Sequence, residues 1–144
     1  MSTELHAFTS YKIIEDEIHY ENDEDYDIAS GNWHYIHTII EYGNFLLNKN
    51  ISLPAYNWLD DAALAKKGMD LVEPEEFVIL CESVIKNIEK LNDTENPLIS
   101  QCCHLYSCEK SASFKEEKKN LLHYAEMLLN WSRQGLYFVE EAIH

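Results

Sequence analysis

The chain has 144 residues, of which 46% are hydrophobic and 12% aromatic, and its formal net charge is −15 at pH 7. This length is typical of one domain, and the apolar content is enough to build a core, which excludes disorder over the whole chain. A negative charge of this size repels nucleic acid and anionic lipid, so we expect neither nucleic acid nor membrane as a partner and favour a basic protein.

Residues 1–30 hold more than half of the excess negative charge, with nine acidic residues and one base, Lys12. Within them, residues 15–27 (EDEIHYENDEDYD) contain eight carboxylates. YKII and IHY on either side of EDE predict a small hairpin or one helix. The acids after Tyr20 favour a solvated loop, because like charges one turn apart destabilise a helix. We therefore expect residues 1–30 to form an acidic N-terminal arm, either irregular or a small hairpin.

From residue 33 onward, apolar residues recur mostly with the 3.6-residue period of a helix. WHYIHTIIEYGNFLLN, residues 33–48, predicts the first helix, and NWLDDAALAKK, residues 57–67, predicts the second. The clearest helical pattern is EPEEFVILCESVIKNIEKL, residues 73–91. Pro74 lies in its first turn, and three glutamates lie at the positive end of its dipole.

The last third of the chain predicts two further helices. ENPLISQCCHLYSCEK, residues 95–110, suits a short helix. Residues 113–135 suit a long helix that opens with a capping box and stops at a glycine. LYFVEEAIH, residues 136–144, fits a short helix or a strand, and we prefer the helix. Short connections predict antiparallel neighbours, so the expected fold is an all-α bundle of about five helices, a single domain over 1–144 with residues 31–144 as its helical core.

The N-terminal residues and the cysteines predict a cytoplasmic protein. MSTELHAFTSYK lacks the basic and apolar regions of a signal peptide, and no apolar run approaches the roughly 18 residues of a transmembrane helix. The cysteines are clustered in sequence and are not spread as a disulfide framework, so reduced thiols are expected. They are Cys81, Cys102, Cys103 and Cys108.

His34, His37 and Glu41 lie at i, i+3 and i+7 of the first predicted helix, so one face could present two imidazoles and a carboxylate to zinc or iron. A metal site in a helical bundle needs matching ligands from facing helices, and the sequence has no second pair of this kind. A polar helix face is therefore our preferred interpretation. A metal-binding protein or enzyme that uses these residues, with His104 or His123, is the alternative function.

Cys102, Cys103, His104 and Cys108 form a second group of potential metal ligands. Their spacing matches no common zinc module, and structural cysteines are the preferred interpretation, with zinc binding and a redox role left open. The chain also lacks a nucleophile elbow and a glycine-rich phosphate loop. We therefore predict no catalytic residue, cofactor or metal ligand, and no enzymatic activity.

Tyrosines are interleaved with the acids of the N-terminal segment, which favours partner binding over solubility alone. Aromatic residues anchor the centres of interfaces, and acids around them steer a basic partner into place. A calcium loop is disfavoured because DEDYD lacks the glycine and the distant glutamate of an EF-hand. The predicted partner-binding residues are Asp23, Glu24, Asp25, Tyr26 and Asp27, followed by Glu17, Tyr20 and Glu21.

In its size, its acidity and the tyrosines among its acids, the whole chain resembles the immunity proteins of bacterial toxin–immunity pairs, including those of contact-dependent growth inhibition. The resemblance implies an inhibitor that binds a basic toxin enzyme one to one, with a nuclease favoured, and occludes its active site or substrate groove. The acids would stand in for the phosphates that a nuclease binds. Phage-encoded mimics of nucleic acid follow the same physical logic.

A third candidate function is a helical adaptor or a module that associates with itself. Tyr124, Met127 and Trp131 lie on one shoulder of the last long helix and could dock another helix or a second copy. The sequence predicts no particular oligomeric state.

Overall fold

The computed structural model describes residues 2–15, 17–28, 33–57, 70–90 and 114–143. Within these residues the fold is mixed α/β, so the predicted all-α bundle of about five helices is wrong. The elements are β1 (Ser2–Phe8), β2 (Ser10–Ile14), β3 (Glu17–Glu21), β4 (Glu24–Ile28), α1 (Trp33–Leu47), β5 (Ala55–Asn57), α2 (Pro74–Asn87), α3 (Phe114–Arg133) and β6 (Tyr137–Ile143). A 3-10 turn, Ile88–Lys90, follows α2.

Four of the strands form one sheet in the order β4-β1-β6-β5. β1 is antiparallel to both β4 and β6, whereas β5 runs parallel to β6. The helix that we preferred for residues 136–144 is therefore wrong. The strand β6 begins with Tyr137, Phe138 and Val139, which favour strands, and it has a neighbouring strand on each side. Gly135, with φ of 81°, separates it from α3.

The first four strands form one long hairpin. Thr3 pairs with Ile28 near one end and Ile14 pairs with Glu17 near the other, and both ladders keep the same register. The hairpin predicted around EDE is present, but the solvated loop expected after Tyr20 is wrong, because those acids continue into β4. In a strand, successive side chains point to opposite faces, so the helical repulsion that we invoked does not apply.

The first strand of the predicted N-terminal arm, β1, does not lie outside the core. Leu5, Ala7 and Phe8 of β1 are fully buried. β1 lies between β4 and β6, so its main chain is bonded on both sides. The acidic N-terminal segment is therefore built on one of the central strands of the fold.

The three helices agree with those predicted for residues 33–48, 73–91 and 113–135. They pack against each other and against one face of the sheet, where Leu5 and Phe138 join the helical core residues. α1 and α2 approach closely at Gly43, because a Cβ there would lie 2.4 Å from the Cγ atom of Leu80. Fully buried core side chains from the three helices include Ile36, Ile39, Phe77, Leu80, Leu121 and Leu128.

Two predicted helices fall largely or wholly outside the described residues. Of the helix predicted over residues 57–67, only Asn57 is described, and it belongs to β5. The helix predicted over residues 95–110 lies in the part of the chain that the structure does not describe. None of the helices in the described ranges has both the length and the apolar character needed to cross a membrane.

Candidate functional site

Strands β3 and β4 contain five acidic residues, and Asp23, which lies between the two strands, is a sixth. β4 is an outer strand of the four-stranded sheet, and β3 belongs to a two-stranded sheet with β2, so within the described residues each has a strand on one side only. Glu17, Glu21 and Glu24 are exposed. We call residues 17–27 the acidic edge; its acids are Glu17, Glu21, Asp23, Glu24, Asp25 and Asp27.

The most strongly predicted residues, Asp23 to Asp27, lie at the start of β4 and just before it. In the register with β1, Asp25 is opposite His6, Tyr26 is opposite Leu5 and Asp27 is opposite Glu4. The ladder to β1 thus fixes the main chain of residues 24–27 in an outer strand, whereas the other predicted residues, Glu17, Tyr20 and Glu21, lie on β3.

Tyr20 packs against the protein itself. Its ring stacks on His6 with a centroid separation of 4.5 Å and lies 4.6 Å from the ring of Phe8. Tyr11, its cross-strand partner, meets Phe8 edge-on at 6.3 Å. Side chains alternate along β1, so His6 and Phe8 face away from Leu5, Ala7 and the helical core. The β2–β3 end of the hairpin therefore covers the second face of the sheet, and Tyr20 fixes it there.

Three carboxylates surround the buried side chain of His6 beneath this cover. His6 Nε2 lies 2.8 Å from Glu141 Oε1 and 3.4 Å from Glu4 Oε2, while Nδ1 lies 3.4 Å from Asp23 Oδ2. Glu4 and Glu141 are direct partners on β1 and β6. We call these four residues the His6 cluster. Like charges directly opposite each other destabilise a strand pair, so this arrangement favours a cation between them.

Sequence reasoning missed the His6 cluster because it depends on the sheet. The alternation of Glu4, His6 and Phe8 within STELHAF is a strand signal that could have placed them on one face. Glu141, however, is 135 residues from His6 in the chain, and only the pairing of β1 with β6 brings it near. The helix preferred for residues 136–144 concealed that pairing.

A cleft of about 390 Å³ lies between α1, residues 51–55 and β6. Its polar residues are His37, Glu41, Ser52 and Glu140, and its apolar lining includes Ile40 and Leu53. His37 Nε2 lies 3.2 Å from Glu140 Oε1. The hydrogen bond to Glu140 raises the pKa of His37 above its usual value, partial burial opposes this rise, and the charges of Glu140 and Glu41 add to it.

The metal-binding set predicted on α1 is only partly assembled. His37 and Glu41 line the cleft together, as their spacing predicted, but Glu140 replaces His34 as their neighbour. The ring of His34 packs against Tyr35 with a centroid separation of 4.0 Å. Among the described residues, the three ligand groups that converge to within 4.8 Å are Glu4, His6 and Glu141.

The remaining histidine and cysteine candidates form no described site. Cys102, Cys103, His104 and Cys108 lie outside the described residues. Cys81 is fully buried, and its burial raises the pKa of the thiol to about 12, which leaves it a poor nucleophile. The exposed His123 packs edge-on against Tyr124.

The apolar shoulder of α3 packs largely within the protein. Tyr124 is buried and stacks on Tyr35 at 5.5 Å. Met127 and Trp131 are partly buried against the core. Little of the surface suggested for an adaptor is thus presented to solvent.

Comparisons with models of known protein families, with curated proteins and with solved structures found no match to this chain.

Proposed function

We propose that this chain is an immunity-type inhibitor that binds a basic enzyme in the cytoplasm, with a nuclease toxin as the favoured partner, and occludes its substrate groove. The acidic edge is the observation that carries the proposal. It places six acidic residues within the eleven residues 17–27, five of them on strands β3 and β4. This density of negative charge along an ordered backbone resembles that of a nucleic acid strand, which a nuclease groove is shaped to bind.

Charge supports the proposal through the rate of association. The chain has a net charge of −15, and charge complementarity of this kind raises association rates by about 10- to 1,000-fold at low salt. The strand ladder to β1 supports it further, since an ordered edge loses less conformational entropy on binding than a solvated loop. The outer main-chain groups of β3 and β4 also offer a partner strand a place to pair.

The test uses the product of the adjacent reading frame, provided that it contains a basic C-terminal domain. We expect this chain to bind that domain one to one and to abolish its enzymatic activity. Cells that express this chain should be protected from the basic domain. The triple variant Glu17→Gln, Glu21→Gln, Glu24→Gln should slow association about tenfold at 0.02 M salt and have little effect at 0.5 M salt.

A matched control removes three exposed glutamates elsewhere. The variant Glu75→Gln, Glu89→Gln, Glu126→Gln has the same net charge as the edge variant, and all six positions are exposed. If both variants slow association equally, total charge and not the acidic edge attracts the partner. If neither changes the rate or its dependence on salt, electrostatic steering is not the basis of recognition.

The cleft favours a second candidate function, an enzyme that uses His37 with Glu41 and Glu140. A histidine whose pKa is raised in a partly apolar cleft is a candidate general acid or base. Substitution His37→Gln distinguishes the two functions. If the acidic edge carries the function, the variant still neutralises the basic partner. If the cleft is an active site, the variant loses the enzymatic activity of this chain.

A further inference from the structure

The spacing of donor atoms in the His6 cluster matches the coordination shell of a small divalent metal ion. Ligand atoms at about 2.1 Å from a metal are separated by about 3.0 Å at right angles and about 3.4 Å at the tetrahedral angle. His6 Nε2 lies 2.8 Å from Glu141 Oε1 and 3.4 Å from Glu4 Oε2. The ligand atoms of all three residues lie within 4.8 Å of one another, so a metal ion could draw them into one coordination shell.

The carboxylates of the His6 cluster outnumber its single imidazole by three to one. Even a protonated His6 would face three carboxylates, those of Glu4, Asp23 and Glu141. Glu4 and Glu141 are only partly exposed, with 29% and 14% of their side-chain surface accessible, so water screens them incompletely. A divalent cation between these two carboxylates would balance their two negative charges.

The surroundings of His6 resemble those of a metal-bound histidine. Such a histidine usually presents its second ring nitrogen to a carboxylate, which fixes the ring and raises its basicity. Here Nδ1 lies 3.4 Å from Asp23 Oδ2, on the opposite side of the ring from Glu4 and Glu141, which lie near Nε2. The ring of Tyr20 stacks on the imidazole and holds its plane. His6 itself has only 6% of its side chain exposed.

We propose that Glu4, His6 and Glu141 bind one divalent transition-metal ion, with zinc as the best match, and that Asp23 orients the imidazole. An imidazole among the ligands disfavours magnesium and calcium, which prefer shells of oxygen alone. Three protein ligands leave a fourth position for water or another group. The proposal concerns the face of the sheet beneath Tyr20 and does not depend on the proposed inhibitor function.

The test is a titration of the chelator-treated full chain with zinc chloride, followed by calorimetry. We expect one binding site. Glu4→Gln and Glu141→Gln, which preserve side-chain shape, should each weaken zinc binding about a hundredfold or more, and Asp23→Asn should weaken it about 10- to 100-fold. Glu126→Gln, an exposed glutamate on α3 outside the cluster, should leave the affinity unchanged. Circular dichroism of each variant shows whether the fold is intact.

The absorption spectrum of cobalt bound to the native chain distinguishes this site from a site formed by the cysteines. Cobalt bound to Glu4, His6 and Glu141 lacks the sulfur-to-metal charge-transfer bands of a thiolate site. A triple Cys102→Ser, Cys103→Ser, Cys108→Ser variant should bind zinc as the native chain does. The proposal is overturned if the native chain binds no zinc, if the cobalt spectrum contains thiolate bands, or if Glu4→Gln and Glu141→Gln leave the affinity unchanged.

Discussion

Replacing Gly43 with alanine should destabilise the protein, although alanine is the better helix former. The new Cβ would lie 2.4, 2.8 and 3.1 Å from the Cγ, Cδ2 and Cδ1 atoms of Leu80, which is fully buried. Alanine contributes about 1 kcal/mol through helix propensity, whereas overpacking in a core costs about 1 to 3 kcal/mol. We expect the upper part of that range, because the nearest atom is a branch point and not a flexible end.

The expected net loss is about 1 to 2 kcal/mol, which lowers the melting temperature of a chain of this size by about 3 to 7 °C. Urea titration gives the free energy of unfolding, and a cycle with Leu80→Ala identifies the cause. Removing the Leu80 side chain should relieve the effect of Gly43→Ala, with a coupling of about 1 kcal/mol or more. A stabilised Gly43→Ala variant, or additive effects in the double variant, would refute the close approach of α1 and α2.

Further predictions concern single side chains. Gly135→Ala should lower the free energy of unfolding by about 1 to 2 kcal/mol, because φ at this position is 81°. Nothing lies within 4 Å of the added Cβ, so Leu80→Ala should not relieve this loss. Glu140→Gln should lower the pKa of His37 towards its usual value of 6.5. A raised histidine pKa stabilises the fold below about pH 6.5, and this stabilisation is lost as the pH rises through the raised value. In urea titrations the variant should therefore lose more stability at pH 6 than at pH 8.5. Glu82→Gln should cost less than about 1 kcal/mol in the same assay, since its ion pair with Arg133 is about half exposed. Cys81 should resist alkylation in the folded protein and react only in denaturant, as mass spectrometry of labelled peptides would show.

The sequence was sufficient for the helices because each has a local signal. In α2, Phe77, Cys81 and Val84 are buried at helical spacing, and the helix begins at Pro74. The same periodicity places His37 and Glu41 together on one face of α1. Each of these inferences needs information from no more than a few helical turns.

The strands could not be predicted in the same way, because their neighbours lie far away in the chain. Glu4 pairs with Glu141, and Asp27 pairs with Glu4 from the other side. A run of acids reads as a solvated loop when only adjacent residues are considered. It forms a strand here because Leu5 and Ala7 anchor β1 in the helical core, Phe8 is buried on the opposite face, and β4 completes one side of the hydrogen bonding of β1.

The position of the acids at a strand edge also bears on which partner can bind there. An outer strand with unpaired main-chain groups is a site where a second copy of the same chain could add, and natural proteins prevent this with charge. Two copies of the acidic edge would bring twelve carboxylates together, so pairing between identical edges is strongly opposed. The same charges attract a basic strand or groove. Under the proposed function, a single set of residues would therefore both oppose pairing between identical edges and attract a cationic partner.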